Sequence, residues 1–278
     1  LRQAAGFGSN RFSISGAAPI NPKILEFFHY LGIPIYEGYG MTENTAGISI
    51  NYGGGNKIGS VGKCMPFFDL KIASDGEVLI KGDNVMKGYY KNPKATEETI
   101  IDGWLQTGDV GKIDSDGYLF ITGRKKEIYV SSSGKNVAPL VIEESMKSIP
   151  IVSQCFLVGD NRKFCSALIT LDMSVILRDH IGVDVNEIPK DPSKQNEMIL
   201  ANNKKLSDYT DNQDIFEKVS DDIQKLNQNF SSPEQIKKFS ILPRDFSIDD
   251  GELTPTLKIR RKQINENWAS VIEDMYSE

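Results

Sequence analysis

The chain has 278 residues, 39% of them hydrophobic and 25% charged, with a net charge of −6 at pH 7. That length suits one large or two ordinary domains, each able to bury its own core, and the negative balance argues against a general attraction to nucleic acid. No run approaches the ~18 to 20 apolar residues of a bilayer span, and the first residues lack the charged-then-apolar order of a secretory signal.

Cysteine and histidine usage narrows the chemistry. Cys64, Cys155 and Cys165 form no C-x-x-C pair, so neither a disulfide framework nor a zinc site is expected, and a reducing, cytoplasmic setting fits. His29 and His180 are isolated, too few for a His-based metal site or triad, and His29, between Phe28 and Tyr30, reads as a packing residue. The chain starts Leu1-Arg2-Gln3 without methionine, which raises the expectation that it is the C-terminal part of something longer.

Residues 1–16 are rich in small side chains and end at Ser15-Gly16-Ala17-Ala18-Pro19, a strand-to-loop transition where a flat ligand can approach the backbone. Asn21-Pro22 is an N-cap with proline at the first helical position, and Ile24, Leu25, Phe27, Phe28 and Leu31 form a helical stripe closed by Gly32. A short strand, Ile33 to Ile35, then enters the loop Tyr36-Glu37-Gly38-Tyr39-Gly40-Met41-Thr42-Glu43-Asn44. Chemically that loop can stack a base on Tyr39, offer a phosphate the Thr42 hydroxyl and hold Mg²⁺ through Glu43, since magnesium prefers carboxylate and phosphate oxygens. A glycine-rich turn with packed tyrosines is the alternative reading.

From 67 to 122 the pattern is β. Phe67 to Ala73, Glu77 to Lys81, Val110 to Ile113 and Tyr118 to Thr122 are short strands, joined in part by Ser74-Asp75-Gly76 and Ser115-Asp116-Gly117 turns, which predicts a small sheet or barrel. Asn92-Pro93 opens a short helix to Ile100. Trp104-Leu105-Gln106-Thr107-Gly108-Asp109 is read as the link from that helix to the next strand, with Asp109 able to accept bonds from a ribose diol.

Gly123-Arg124-Lys125-Lys126-Glu127 marks the change of character and reads as a charged hinge, or more blandly as a solvated turn. Beyond it, Glu127 to Val130 is a strand leading into Ser131-Ser132-Ser133-Gly134-Lys135-Asn136, whose glycine permits close backbone approach. Pro139 opens a helix to about Ser148, and strands at 151–158 and 164–171 form a hairpin. Residues 182–212 are polar and read as a surface insertion. Ile215, Val219, Ile223, Leu226 and Phe230 mark an amphipathic helix, Trp268, Val271, Ile272 and Met275 the last one, and Leu253 to Lys262 lies between them without a helical stripe.

These residues resemble the adenylate-forming superfamily of acyl-CoA synthetases, peptide-synthetase adenylation domains and luciferases. The likeness is carried, in order and spacing, by Ser15 to Pro19, Tyr39-Gly40-Met41-Thr42-Glu43, Trp104 to Asp109, Gly123 to Glu127 and Pro255-Thr256-Leu257-Lys258. Leu257, where most relatives have glycine, together with Ile142-Glu143, Ile149 to Ser153, Leu157 to Phe164 and Asp245-Phe246-Ser247, is similar to bubblegum-type long-chain fatty acyl-CoA synthetases.

The resemblance implies a mixed α/β (α+β) fold: residues 1–123 as the end of the large AMP-binding domain, including a small barrel-like subdomain, and 124–278 as a smaller mobile domain. It implies that Ala17, Ala18, Tyr39 and Gly40 border adenine, Thr42 meets the α-phosphate, Glu43 holds Mg²⁺, and Asp109 and Arg124 hold the ribose. Lys126 would be the pivot, Gly134 would line the pantetheine passage of coenzyme A, and Lys258 would be the mobile catalytic lysine. The reaction implied joins a long-chain fatty acid to CoA through an acyl-adenylate, using ATP and Mg²⁺, and a lipid substrate adds an expectation of peripheral membrane contact. The family's phosphate-gripping loop ending in Pro-Lys-Gly is missing from the sequence, so the chain by itself is expected not to catalyse adenylation. A non-catalytic nucleotide- or CoA-binding module is the competing reading; retention of Lys258 and Glu43 favours the ligase.

Overall fold

The computed structural model describes residues 2–4, 6–131 and 134–277, in two compact units, Leu1–Ile128 and Tyr129–Glu278. The secondary structure is mixed α/β in both. No helix among the described residues is long and apolar enough to cross a membrane.

The first unit begins with strand β1 (Ser13–Ser15) and the helix Pro22–Tyr30, whose Asn21 side chain accepts from Lys23 N. Only Leu25 of its apolar stripe is buried; Phe27 is 58% exposed, and His29 is exposed rather than packed. The strand that follows, β2 (Ile35–Tyr39), lies later than the sequence suggests and takes in the first four residues, Tyr36 to Tyr39, of the stretch read as a loop. It pairs parallel to β1 and antiparallel to β3 (Ser49–Ile50), which pairs with β4 (Lys63–Cys64).

The second sheet contains β5 (Asp69–Ile72), β6 (Glu77–Lys81), β7 (Ile100–Ile101), β8 (Trp104–Ile113) and β9 (Leu119–Arg124). Strand β8 is its spine, pairing with β6, β7 and β9, and the described strands form an open sheet, not a closed barrel. Trp104 to Asp109 belongs to this strand instead of a linking loop. Its period of two buries Leu105, Thr107, Asp109 and Gly111 on one face, and Ile48, Val78, Ile80, Leu105 and Leu119 make the core.

The second unit opens with a small hairpin, β10 (Tyr129–Val130) and β11 (Asn136–Val137). Ser132 and Ser133 of its loop lie outside the described residues. Strands β12 (Val152–Val158) and β13 (Cys165–Leu171) form the expected hairpin, and β14 (Ile236–Ile241), unmarked in the sequence reading, adds parallel to β13. Both faces of this sheet are covered. On one, Cys155, Leu157, Ala167 and Ile169 meet Ile142, Met146, Ile199 and Val219; on the other, Phe156, Val158 and Leu168 meet Leu242, Phe246, Leu253, Ile264 and Ile272.

The polar stretch 182–212 is not a mere surface insertion. It contains the helix Pro192–Ala201, capped by Asp191, and buries Ile199, Leu206 and Tyr209 in the first of those clusters. Three apolar side chains at wide spacing were outweighed by many polar neighbours, which face solvent on a short helix. Because Ile199 is fully buried, Ile199→Ala should destabilise the protein by about 2–5 kcal/mol in urea denaturation. A cost of only a few tenths would be the behaviour of a surface insertion.

Candidate active site

In the first unit, three of the sequence-marked residues converge from three strands. Asp109 on β8 lies directly opposite Arg124 on β9 in the antiparallel register, and Arg124 Nε sits 3.0 Å from Asp109 Oδ1. From the end of β2, Tyr39 donates its hydroxyl to Asp109 Oδ2 at 2.6 Å. Asp109 is only 5% exposed, because strand alternation aims it inward, and a carboxylate so placed needs donors on both oxygens. The Tyr39 phenol is pushed far up by burial first and then by the charge of Asp109 and the bond to it.

Residues Gly40 to Ala46 fold back on themselves after Tyr39. A side chain at Gly40 would place its Cβ 1.5 Å from the Ala46 carbonyl oxygen, so only glycine fits. Thr45 and Ala46 both take left-handed backbone angles, φ 61° and 83°, a strain that active-site loops commonly carry. Thr42 is exposed and Glu43 half-buried in a tight 3-10 turn.

A second loop straps this one in place. Met86 N donates to the Glu43 carbonyl at 2.8 Å, Asn84 Nδ2 to the Asn44 carbonyl at 2.6 Å, and Thr45 Oγ1 to the Asn84 carbonyl at 2.8 Å. Tyr89 donates its hydroxyl to Glu43 Oε1 at 2.9 Å. The sequence reading passed over Asn84 and Tyr89; they fall in a segment with no periodic signal, and only tertiary contact brings them here. Glu43 stands as one carboxylate, with no group of three or more His, Cys, Asp or Glu able to cage a metal among the described residues. That donor set fits magnesium shared with phosphate oxygens, which commonly takes only one or two protein carboxylates.

Ala17 and Ala18 are exposed just beyond β1, with Ala17 in the left-handed region at φ 70°. The charged pentapeptide divides between structures: Gly123 and Arg124 end β9, while Lys125 to Glu127 form a turn. Lys125 N donates to the Gly108 carbonyl, and its amine bridges Asp75 and the buried Glu77, each at 2.7 Å. Asp75 first and Glu77 next push the Lys125 amine up to about 12. Lys126 beside it is exposed.

Gly134 and Lys258 belong to the second unit. Gly134 has φ 76° and open space where a Cβ would stand. Lys258 is exposed on a turn closed by Thr254 N to the Lys258 carbonyl at 2.8 Å and Lys258 N to Thr254 Oγ1 at 3.0 Å. Leu257, 68% exposed, holds φ 60°.

Comparison with solved structures defines the class first. The chain aligns with o-succinylbenzoate CoA synthetase from Bacillus subtilis in complex with its acyl-adenylate intermediate at 25% identity and a TM-score of 0.66, covering 92% of this chain and 46% of that one. The A domain of carboxylic acid reductase from Segniliparus rugosus, in complex with AMP and a co-purified carboxylic acid, shares the fold at 21% identity and a TM-score of 0.71, covering 97% and 40%.

Sequence profiles then fix the family. The AMP-binding enzyme profile matches residues 2–90 and the AMP-binding enzyme C-terminal domain profile matches 126–181 and 192–278, so the chain belongs to the AMP-binding enzymes. Long-chain-fatty-acid–CoA ligase FadD15 of Mycobacterium tuberculosis is 41% identical over 283 residues, covering 100% of this chain and 44% of that protein. Long-chain-fatty-acid–CoA ligase ACSBG1 of Rattus norvegicus is 34% identical over 288 residues, covering 100% and 40%. The chain thus spans less than half the length of these curated relatives.

Glu37, given no role in the sequence reading, lies opposite Ser15 on β2, 7% exposed, with Oε1 3.4 Å from Ile20 N. Burial raises its carboxyl above the ordinary 4.5, with the backbone N–H groups of Ile20 and Gly59 pulling the other way. The fold therefore favours the neutral acid and loses stability as pH rises from about 4.5 through the raised value. Glu37→Gln should be more stable than the parent at pH 7, with the gain shrinking toward pH 4.5 in paired urea titrations. A gain that grows on acidification would contradict this account.

Proposed function

We propose that the protein containing this chain is an ATP-dependent long-chain fatty acid:CoA ligase, forming an acyl-adenylate and pyrophosphate and then acyl-CoA and AMP. The observation that carries the reading is the convergence of Tyr39, Asp109 and Arg124 at the base of the Thr42-Glu43 loop, in a chain similar along its whole length to long-chain-fatty-acid–CoA ligases. Residues 1–123 would be the C-terminal part of the large AMP-binding domain and 124–278 the mobile domain that brings Lys258.

The chemistry follows from the side chains. Asp109 holds Tyr39 and Arg124 through one lone pair on each oxygen, and a carboxylate has about four such positions. Two remain for the ribose hydroxyls, each bond to a charged acceptor contributing about 1.5–3 kcal/mol. The small Ala17 and Ala18 and the ring of Tyr39 would flank adenine beside Gly40, and the Thr42 hydroxyl would meet the α-phosphate. Glu43, steadied by Tyr89, would hold Mg²⁺, which when bound screens the phosphate charges. Lys258 would set its ammonium between the substrate carboxylate and the α-phosphate as negative charge develops in adenylation. Gly134 would let the pantetheine arm of CoA pass close to the backbone. Lys126 would be the pivot, its backbone turning between an adenylating and a thioester-forming orientation. A long-chain acid that partitions into lipid makes peripheral membrane contact from the cytoplasm part of the proposal.

ATP–pyrophosphate exchange with palmitate tests the reading on the full-length protein. Lys258→Ala should lower exchange about 10²- to 10³-fold, the usual cost of one preorganised donor; unchanged exchange would overturn the role of Lys258. Lys126→Pro should slow thioester formation more than adenylation, measured as the two half-reactions separately. Equal loss of both would contradict the pivot.

A further inference from the structure

In the second unit a dense set of hydrogen bonds converges on the side chain of Glu252, six residues before Lys258. Glu252 is 0% exposed. Arg244 grips it with both terminal nitrogens, Nη1 to Oε2 at 2.7 Å and Nη2 to Oε1 at 2.9 Å. Ser247 N donates to Oε2 at 3.1 Å, Asn267 Nδ2 to Oε1 at 3.0 Å and Trp268 Nε1 to Oε1 at 2.8 Å. The indole of Trp268 also lies under the Arg244 guanidinium, 4.9 Å from its centre.

A buried ion pair of this kind is weak evidence for stability, because apolar side chains of similar volume often stabilise a fold as well or better. What it does supply is position. The donors come from both sides of the Lys258 turn: Arg244 and Ser247 precede it, Asn267 and Trp268 follow it. The main chain continues the connection. Arg260 N donates to the Glu252 carbonyl at 2.8 Å, Leu253 bridges Ile259, and Thr254 closes the turn on Lys258. On the far side Arg261 Nη2 reaches the buried Glu143 Oε2 at 2.6 Å, and Glu143 Oε1 accepts from Leu157 N at 2.7 Å, which ties the end of the turn to β12.

We propose that Glu252 is a positioning residue for Lys258, the buried clamp that holds both stems of the Leu253–Ile259 turn so that the exposed ammonium is presented in one place. This rests on the assignment of Lys258 to adenylation. Glu252 touches no substrate; it acts through the turn it closes. Its signature is selective, because Lys258 serves the first half-reaction and not the second.

The test uses the full-length protein and two assays, ATP–pyrophosphate exchange with palmitate and thioester formation from supplied palmitoyl-adenylate and CoA. Glu252→Gln loses the charge but keeps the shape, and Trp268→Phe removes one donor from the carboxylate while keeping a smaller aromatic ring against the same cluster. Misplacement of a catalytic group by about 1 Å costs on the order of 10²-fold, so Glu252→Gln should lower exchange by up to that factor while thioester formation stays near the parent rate. Trp268→Phe should show a smaller fall with the same selectivity, and it decides the matter if Glu252→Gln does not fold. Unchanged exchange, or equal loss in both assays, would overturn the proposal. Lys258→Ala run beside them separates the two ideas: if it leaves exchange intact, the role of Lys258 fails and Glu252's role with it. If it abolishes exchange while the other variants show no selectivity, only the role of Glu252 fails.

Discussion

Buried carboxylates, each met by donors from distant parts of the chain, are the constraint on which the candidate site depends. A carboxylate without partners in a core costs several kcal/mol or gives up its charge, so each of these groups requires particular neighbours at particular places. Asp109 requires Tyr39 and Arg124, which fixes β2, β8 and β9 relative to one another. Glu77 requires Gly108 N and Lys125, which fixes the turn following Arg124. In the second unit Glu143 and Glu252 do the same for the segment that carries Lys258. The residues proposed to hold the nucleotide in the first unit are therefore preorganised by the same bonds that satisfy its core.

This arrangement gives the charged pentapeptide a physical division of labour. Arg124 remains in the ladder opposite Asp109, and Lys125 is tied to Asp75 and Glu77. Lys126, one residue later, is exposed in the turn. Three consecutive basic residues that look alike as sequence thus sit in a strand, an anchored turn and solvent. If the chain pivots in this segment, the anchors on Arg124 and Lys125 confine the pivot to the residues after them.

The mixed α/β class, the helix capped by Asn21, the β12–β13 hairpin and the amphipathic helix Gln213–Asn227 were legible because each has a local cause: a cap, a turn or a clean period. The motif residues Tyr39, Asp109 and Arg124 were legible as candidates, but their meeting was not, since it depends on the β8–β9 register and on a contact across 70 positions of sequence. Tyr36 to Tyr39 and Trp104 to Asp109 were read as loops because glycines interrupt them. In the structure Gly38 and Gly108 sit inside strands, Gly108 at φ 71° sending its N–H to Glu77. Glu37, Glu77, Tyr89 and Glu252 were missed for one reason: a single acidic or phenolic residue has no periodic signal, and its importance arises only from burial and partners.

Leu257 shows how sequence departure and geometry bear on one another. Glycine would adopt φ 60° there without steric cost, whereas an L-residue with a branched side chain pays about 1–2 kcal/mol for the left-handed region. Leu257 is 68% exposed, so packing within the second unit offsets little of that cost. The turn tolerates it because Thr254 bonds to the backbone on both sides of Lys258 and the stems are clamped below. A turn held this firmly can carry an apolar side chain in a strained conformation beside the Lys258 amine, where glycine would leave the backbone freer to wander. The clamp at Glu252 and the leucine at 257 are then two parts of one solution: rigidity supplied from beneath permits a side chain at the tip.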